Sequence, residues 1–106
     1  MYLTADLGIR MLPWALAQAG LSFPGRSVQV VLEGTGYGTW HWGLASGETP
    51  AEDKEPDATI TGRAVQFALV AARRLTAEEV LDPGTLVIGG DAALGETILR
   101  YIRCYP

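Results

Sequence analysis

Two alternating runs set around a glycine-rich turn constrain this chain more than any other feature. From Ser27 to Glu33, Val28, Val30 and Leu32 fall on one side and Gln29, Val31 and Glu33 on the other. That period of two is the mark of a half-buried strand. Gly34-Thr35-Gly36-Tyr37-Gly38 follows, rich in positions that tolerate positive φ. Thr39 to Leu44 then alternates again, with Trp40, Trp42 and Leu44 on one face and Thr39, His41 and Gly43 on the other. The two runs predict a β-hairpin. Its tryptophan face has to be covered by an apolar element from elsewhere in the chain.

The flanking segments supply that cover. Thr4 to Ala19 places Leu7, Met11, Trp14, Ala15 and Leu16 near one helical face, and Gly20 is a stop. Pro13 either kinks this helix or begins a second one. Ala45 to Pro56 is polar and acidic and reads as a loop, with an edge strand near Ser46 to Thr49 as a further option. Asp57 to Thr61 alternates as a short strand. Gly62 to Arg74 changes to a helical run in which Val65, Phe67, Leu69 and Val70 leave few polar positions, so it is buried on more than one side or borders a cavity. Thr76-Ala77-Glu78-Glu79 has capping-box spacing and opens a short helix ended by Asp82-Pro83-Gly84. Thr85 to Ile88 is a last strand. Gly89-Gly90-Asp91 leads into a final helix, capped by Asp91, with Leu94, Ile98, Tyr101 and Tyr105 at three-and-four spacing. The order predicts an α+β fold: a largely antiparallel sheet of four to five strands, α-β-β-β-β-α-β-α, covered on one face by helices.

The 106 residues are the size of one domain. The expected division is an N-terminal helix over 1–20, then sheet and covering helices over 27–104. Hydrophobic residues make up 48% and charged residues 19%, which places the chain in the globular range. A net charge of −4 argues against nucleic acid, because gripping phosphate backbones needs clustered Lys and Arg. The one basic pair, Arg73-Arg74, closes the apolar helix, where cations complement the C-terminal dipole. Contact with an anionic ligand or acidic partner is the lesser alternative. No stretch reaches the roughly 18 to 20 apolar residues of a membrane span. Cys104 stands alone, so no intrachain disulfide forms, and a reducing, cytoplasmic setting is expected.

No catalytic or metal-binding constellation is visible, and no cofactor is expected. A metal centre needs three or four converging ligands, which the single histidine and single cysteine do not supply. His41 points away from the tryptophan face, as a surface or edge histidine. A Cys104–His41 nucleophilic pair is disfavoured because Cys104 sits on a helix end, third from the end of the sequence. Gly89-Gly90-Asp91 before a helix is better read as a cap than as an anion cradle, since Asp91 would repel the anion. The carboxylates from Glu48 to Asp57 do not follow calcium-loop spacing.

The order of elements resembles the sterol carrier protein type 2 superfamily. The matching runs are Pro56-Asp57-Ala58-Thr59-Ile60-Thr61-Gly62, then Arg74-Leu75-Thr76-Ala77-Glu78-Glu79, then Leu86-Val87-Ile88-Gly89-Gly90-Asp91-Ala92-Ala93-Leu94. Within it, the arginine-ended helix, Gly90-Asp91 and the hairpin's Gly38-Thr39-Trp40 look most like the C-terminal domain of mycothiol-dependent maleylpyruvate isomerases and their actinobacterial, hence bacterial, relatives. The resemblance implies an apolar tunnel that receives acyl chains or sterols. The metal-binding bundle that carries the isomerase chemistry has no counterpart here, so that activity is not implied.

Two functions are therefore expected in competition. The first is non-catalytic binding of a lipid, acyl chain or sterol-like molecule between sheet and helices, with a wall of Trp40, Trp42, Phe67, Val70, Leu75, Val80, Leu86, Leu94, Ile98 and Tyr101. The second is an accessory domain that forms a homodimer or docks on a separately encoded metal- and thiol-dependent enzyme, suggested by Trp14 and its apolar surroundings.

Overall fold

A computed structural model describes residues 2–34, 37–44, 55–81 and 84–104. The elements run α1 (Tyr2–Gln18), β1 (Ser27–Glu33), β2 (Gly38–Gly43), β3 (Ala58–Arg63), α2 (Ala64–Ala71), α3 (Ala77–Leu81), β4 (Leu86–Gly90) and α4 (Ala92–Tyr101). The expected edge strand near Ser46 to Thr49 lies outside the described residues, as does Tyr105.

The four strands form one mixed sheet in the order β2-β1-β3-β4. The hairpin has the predicted facing: Trp40 lies opposite Val30 and Trp42 opposite Val28. β3 then crosses to the other edge of β1 and runs parallel to it, setting Ala58 beside Val28 and Ile60 beside Val30. β2 and β3 run in opposite directions on either side of β1, so a two-residue turn cannot join them and the connection must be longer. β4 closes the sheet antiparallel, with Ile88 opposite Ile60. Two of the three pairings are antiparallel, and side-chain alternation then gives the sheet one apolar face and one polar face. On the open face Thr39, Thr61 and Arg63 are exposed, and Val31 and Val87 retain 38% and 54% of their surface.

Helices cover the apolar face. The buried stripe of α1 is Ala5, Ile9, Leu12, Ala15 and Leu16. This corrects the stripe read from the sequence, because Leu7 is 46% and Trp14 38% exposed. Small residues decide the matter. A Cβ on Gly8 would lie 2.9 Å from the Ala71 Cβ, so α1 can approach α2 closely only through its Gly8 side. Pro13 sits inside a single continuous α1, and no second helix begins there.

Helix α2 is shorter than expected at both ends. Gly62 and Arg63 belong to β3, where Gly62 has φ +152°. At the other end Arg73 turns left-handed, with φ +62°, and the Arg73 and Arg74 amides donate to Val70 O and Leu69 O at 3.0 and 2.8 Å. That pattern is a Schellman stop. The arginine pair therefore lies beyond the helix and not in its last turn. Gly89 and Gly90 extend β4, which the sequence pattern ends at Ile88.

Both predicted caps form. Thr76 N–H donates to Glu79 Oε1 at 3.1 Å and Glu79 N–H to Thr76 Oγ1 at 3.2 Å, the reciprocal pair that opens α3. Asp91 accepts from Leu94 N–H at 3.1 Å and caps α4. The α4 stripe turned inward is Leu94, Ile98, Leu99 and Ile102. Tyr101 lies on its flank.

Candidate ligand-binding site

Nine of the ten residues proposed as a ligand wall come together, mostly as packed core. Phe67, Val70, Val80 and Ile98 have no exposed surface, and Leu86, Leu94 and Trp40 retain 1%, 4% and 7%. Trp42 and Leu75 are partly buried against that cluster. Tyr101 is 43% exposed and stands apart from the other nine. Close-packed interiors leave few voids as large as a water molecule. Any ligand held here must enter at an edge of the helix layer.

One edge offers such an opening. A depression of about 380 Å³ lies beside the C-terminal half of α1, lined by Pro13, Ala17, Leu21, Phe23 and Leu44 among others. Leu44 is buried, and Leu21 and Phe23 are partly buried and packed against the core, so core residues form part of its floor. Its size falls in the ~300–1,000 Å³ range of small-molecule sites. The sequence reading passed over Leu21-Ser22-Phe23. The signal was there, in two large apolar residues directly after the stop at Gly20, but so short a run has no period to assign.

The neighbouring wall is held by a polar clasp. Trp40 Nε1–H donates to Asp6 Oδ1 at 3.0 Å, and Arg10 Nε donates to Asp6 Oδ2 at 2.9 Å. The Arg10 guanidinium also lies over the Trp42 ring, 5.1 Å from its centroid, a cation–π arrangement. The clasp fastens α1 to β2. Burial opposes ionisation of Asp6, but the Trp40 and Arg10 hydrogen bonds with the Arg10 charge together outweigh it and hold its carboxyl below the usual range. A folded-state value below the unfolded one adds stability above the unfolded value, about pH 4, and loses it as pH falls through the folded value. Arg10 is more than half exposed, so the effect should stay under about 1 kcal/mol. Urea midpoints measured at neutral and acid pH should therefore fall more steeply for the native chain than for Asp6→Asn. Equal slopes would show that the clasp carries no charge-dependent stability.

A second cluster, which the sequence reading missed, ties loops at one end of the sheet. Arg26 Nη2 reaches Asp91 Oδ2 at 2.5 Å, and its Nε lies 3.4 Å from Asp57 Oδ1. Asp57 Oδ2 accepts from Ser27 N–H at 2.8 Å. The Leu94 amide first, then the Arg26 guanidinium, hold the Asp91 carboxyl below its ordinary range. Every carboxylate oxygen in the cluster has a donor or cation beside it, which makes it a structural tie between segments 30 to 65 residues apart.

The remaining candidates have ordinary surroundings. His41 Nε2 lies 3.3 Å from Ser27 Oγ, on the strand side away from the tryptophans. The Cys104 amide donates to Ala71 O at 2.9 Å. Among the described residues no group of three or more His, Cys, Asp or Glu is placed to hold a metal ion, and no helix is long and apolar enough to cross a membrane.

No protein-family profile and no curated protein matches the sequence. Solved structures do match the fold. Palmitated SCP2L2 from Aedes aegypti, a solution NMR structure, is similar over 91% of this chain and 88% of that one, with TM-score 0.69 and 20% identity. The apo sterol carrier protein 2 of Yarrowia lipolytica matches over 90% and 85%, with TM-score 0.59 and 16% identity. The crystal structure of the Aedes protein SCP2-L2 matches over 81% and 87%, with TM-score 0.58 and 20% identity. The fold is that of the sterol carrier protein 2-like proteins.

Proposed function

We propose that residues 1–106 act as one non-catalytic unit that binds an apolar molecule, a lipid with an acyl chain or a sterol-like body, taken in between the sheet and the helices. The observation that carries this reading is the opening beside α1, where the lining residues Leu21 and Phe23 pack against the core and Leu44 is part of it. The shared fold supports it, because the Aedes aegypti neighbour is described as palmitated. Burying an aliphatic chain supplies about 0.8 kcal/mol per methylene. That gain must exceed the packing given up where α1 parts from β2 and α2.

The sequence pattern alone carries the narrower proposal, kinship with the isolated C-terminal domain of mycothiol-dependent isomerases in a bacterial cytoplasm. The accessory or dimerisation reading rested on Trp14. Its ring is covered on one face by Arg103, 4.7 Å from the centroid, and single exposed apolar side chains are ordinary on soluble proteins. No contact among the described residues favours that reading over ligand binding.

Tryptophan emission provides the test, since Trp40 and Trp42 lie in the wall that α1 covers. Titration with palmitate should give a saturable change in the native chain. Ala17→Phe should fill the opening and weaken binding at least tenfold. Ala17 is exposed, so the unfolding free energy of the variant in urea should stay within about 0.5 kcal/mol of the native value. An absent response to palmitate, or equal binding by Ala17→Phe, would overturn the assignment.

A further inference from the structure

On the other side of the α1 C-terminus lies a second depression, of about 240 Å³, lined by Ala15, Gln18, Ala19, Arg73, Tyr101 and Arg103. Among the described residues that line it there is no carboxylate. The chain as a whole is acidic, with 12 Asp and Glu against 8 Lys and Arg, and several of its arginines are neutralised locally. Arg10 pairs with Asp6, Arg26 with Asp57 and Asp91, and Arg100 with Glu78 and Glu96. Arg73 and Arg103, which share this depression, have no carboxylate partner among the described residues.

Both guanidinium groups are also fixed in place. Arg73 Nη1 donates to the Arg100 carbonyl at 2.7 Å, which engages one of the five donors a guanidinium offers. The Arg103 guanidinium lies over the Trp14 ring, 4.7 Å from its centroid, a cation–π contact that uses the ring face and engages no carboxylate. The backbone gives an independent indication. Among the described residues Arg73 is the one non-glycine residue with positive φ. Glycine would fit that left-handed stop without strain, and residues held at such a cost cluster at sites where the side chain has a use.

We propose that this depression is an oxyanion site: Arg73 and Arg103 donate to a carboxylate or phosphate group, with Tyr101 and Gln18 also in its lining. Charge-assisted, two-pronged hydrogen bonds from arginine match both groups. The proposal stands apart from the apolar opening and does not depend on it. The anion is either free in solution or the head of an amphiphile, and the chemistry of recognition is the same for both.

Inorganic phosphate is the probe, titrated at constant ionic strength against chloride and followed by calorimetry and by Trp14 emission, since Arg103 covers that ring. The native chain should show saturable binding in the millimolar range. Arg73→Gly removes one guanidinium and relieves the left-handed strain, so its unfolding midpoint should be unchanged or higher while phosphate binds at least tenfold more weakly. Arg103→Gln should weaken binding to a similar extent. Dodecyl phosphate distinguishes the sources: tighter binding than phosphate points to an amphiphile head, equal binding to a free anion, and either result upholds the site provided Arg73→Gly weakens it. Failure to saturate at tens of millimolar phosphate, or unchanged binding in Arg73→Gly, overturns the proposal.

Discussion

Replacing Phe67 with alanine should lower the stability of this chain by about 3 to 5 kcal/mol, the range for truncating a buried aromatic ring to a methyl group. Phe67 heads the fully buried side chains by volume and has no exposed surface. It projects from α2, which packs on β1 and β3 below and on α1 beside it. Its removal opens a void that neither layer can close without shifting both. Domains of this kind are stable by only about 5–15 kcal/mol, so one substitution takes a large share of the total. Denaturant unfolding of Phe67→Ala measures the loss directly. A value under about 1.5 kcal/mol, well below the range for such truncations, would mean that the interior is loosely filled around Phe67, contrary to the packing described above.

Gly62→Ala should be nearly as damaging, for a different reason. A Cβ built there lies 2.3 Å from the Thr85 carbonyl oxygen and 2.8 Å from Leu86 Cδ2. The nearest obstacle is backbone, which cannot rotate aside, and φ of +152° adds conformational strain. Strain alone costs on the order of 1–3 kcal/mol, and displacement of β4 adds to it, so a loss of about 3 kcal/mol or more is expected. Gly20→Ala is the control. Gly20 has φ +76° with nothing within 4 Å of its built Cβ, so that substitution meets strain without collision. If Gly62→Ala cost no more than Gly20→Ala, the tight passage of β3 against the start of β4 would be refuted.

These two residues also mark what a single sequence discloses. Phe67 was legible as core because an apolar run of helical period must be buried. Gly62 was not. Ahead of a helical run it looks like a boundary, yet it is a strand residue made small by the backbone passing over it, and that neighbour comes from 23 positions later. The same limit explains the parallel placement of β3. Alternation in Ala58 and Ile60 identifies the strand and its inner face, but period two carries no information about which edge of β1 it joins.

Caps and turns were legible because their partners are close in sequence, as Thr76 with Glu79 and Asp91 with Leu94 show. The α1 stripe was misread because Leu7, Met11 and Trp14 repeat correctly for a helix face. The choice between that face and Ala5-Ile9-Leu12-Leu16 depends on how closely α2 must approach Gly8. Tyr101 was misplaced for a related reason: at the end of a ten-residue helix, three-and-four spacing leaves two adjacent columns, and Ile102 occupies the inner one. The arginine pair was read as closing the helix; its position beyond the helix required the left-handed turn at Arg73, for which no glycine gave warning.

Binding of an apolar guest at the α1 edge is the claim to which the account is most exposed, and native mass spectrometry of the chain incubated with palmitate examines it without relying on any optical signal. One palmitate per chain, retained by the native protein and lost from Ala17→Phe, is the predicted spectrum. A spectrum holding only the unliganded mass at saturating palmitate would contradict it.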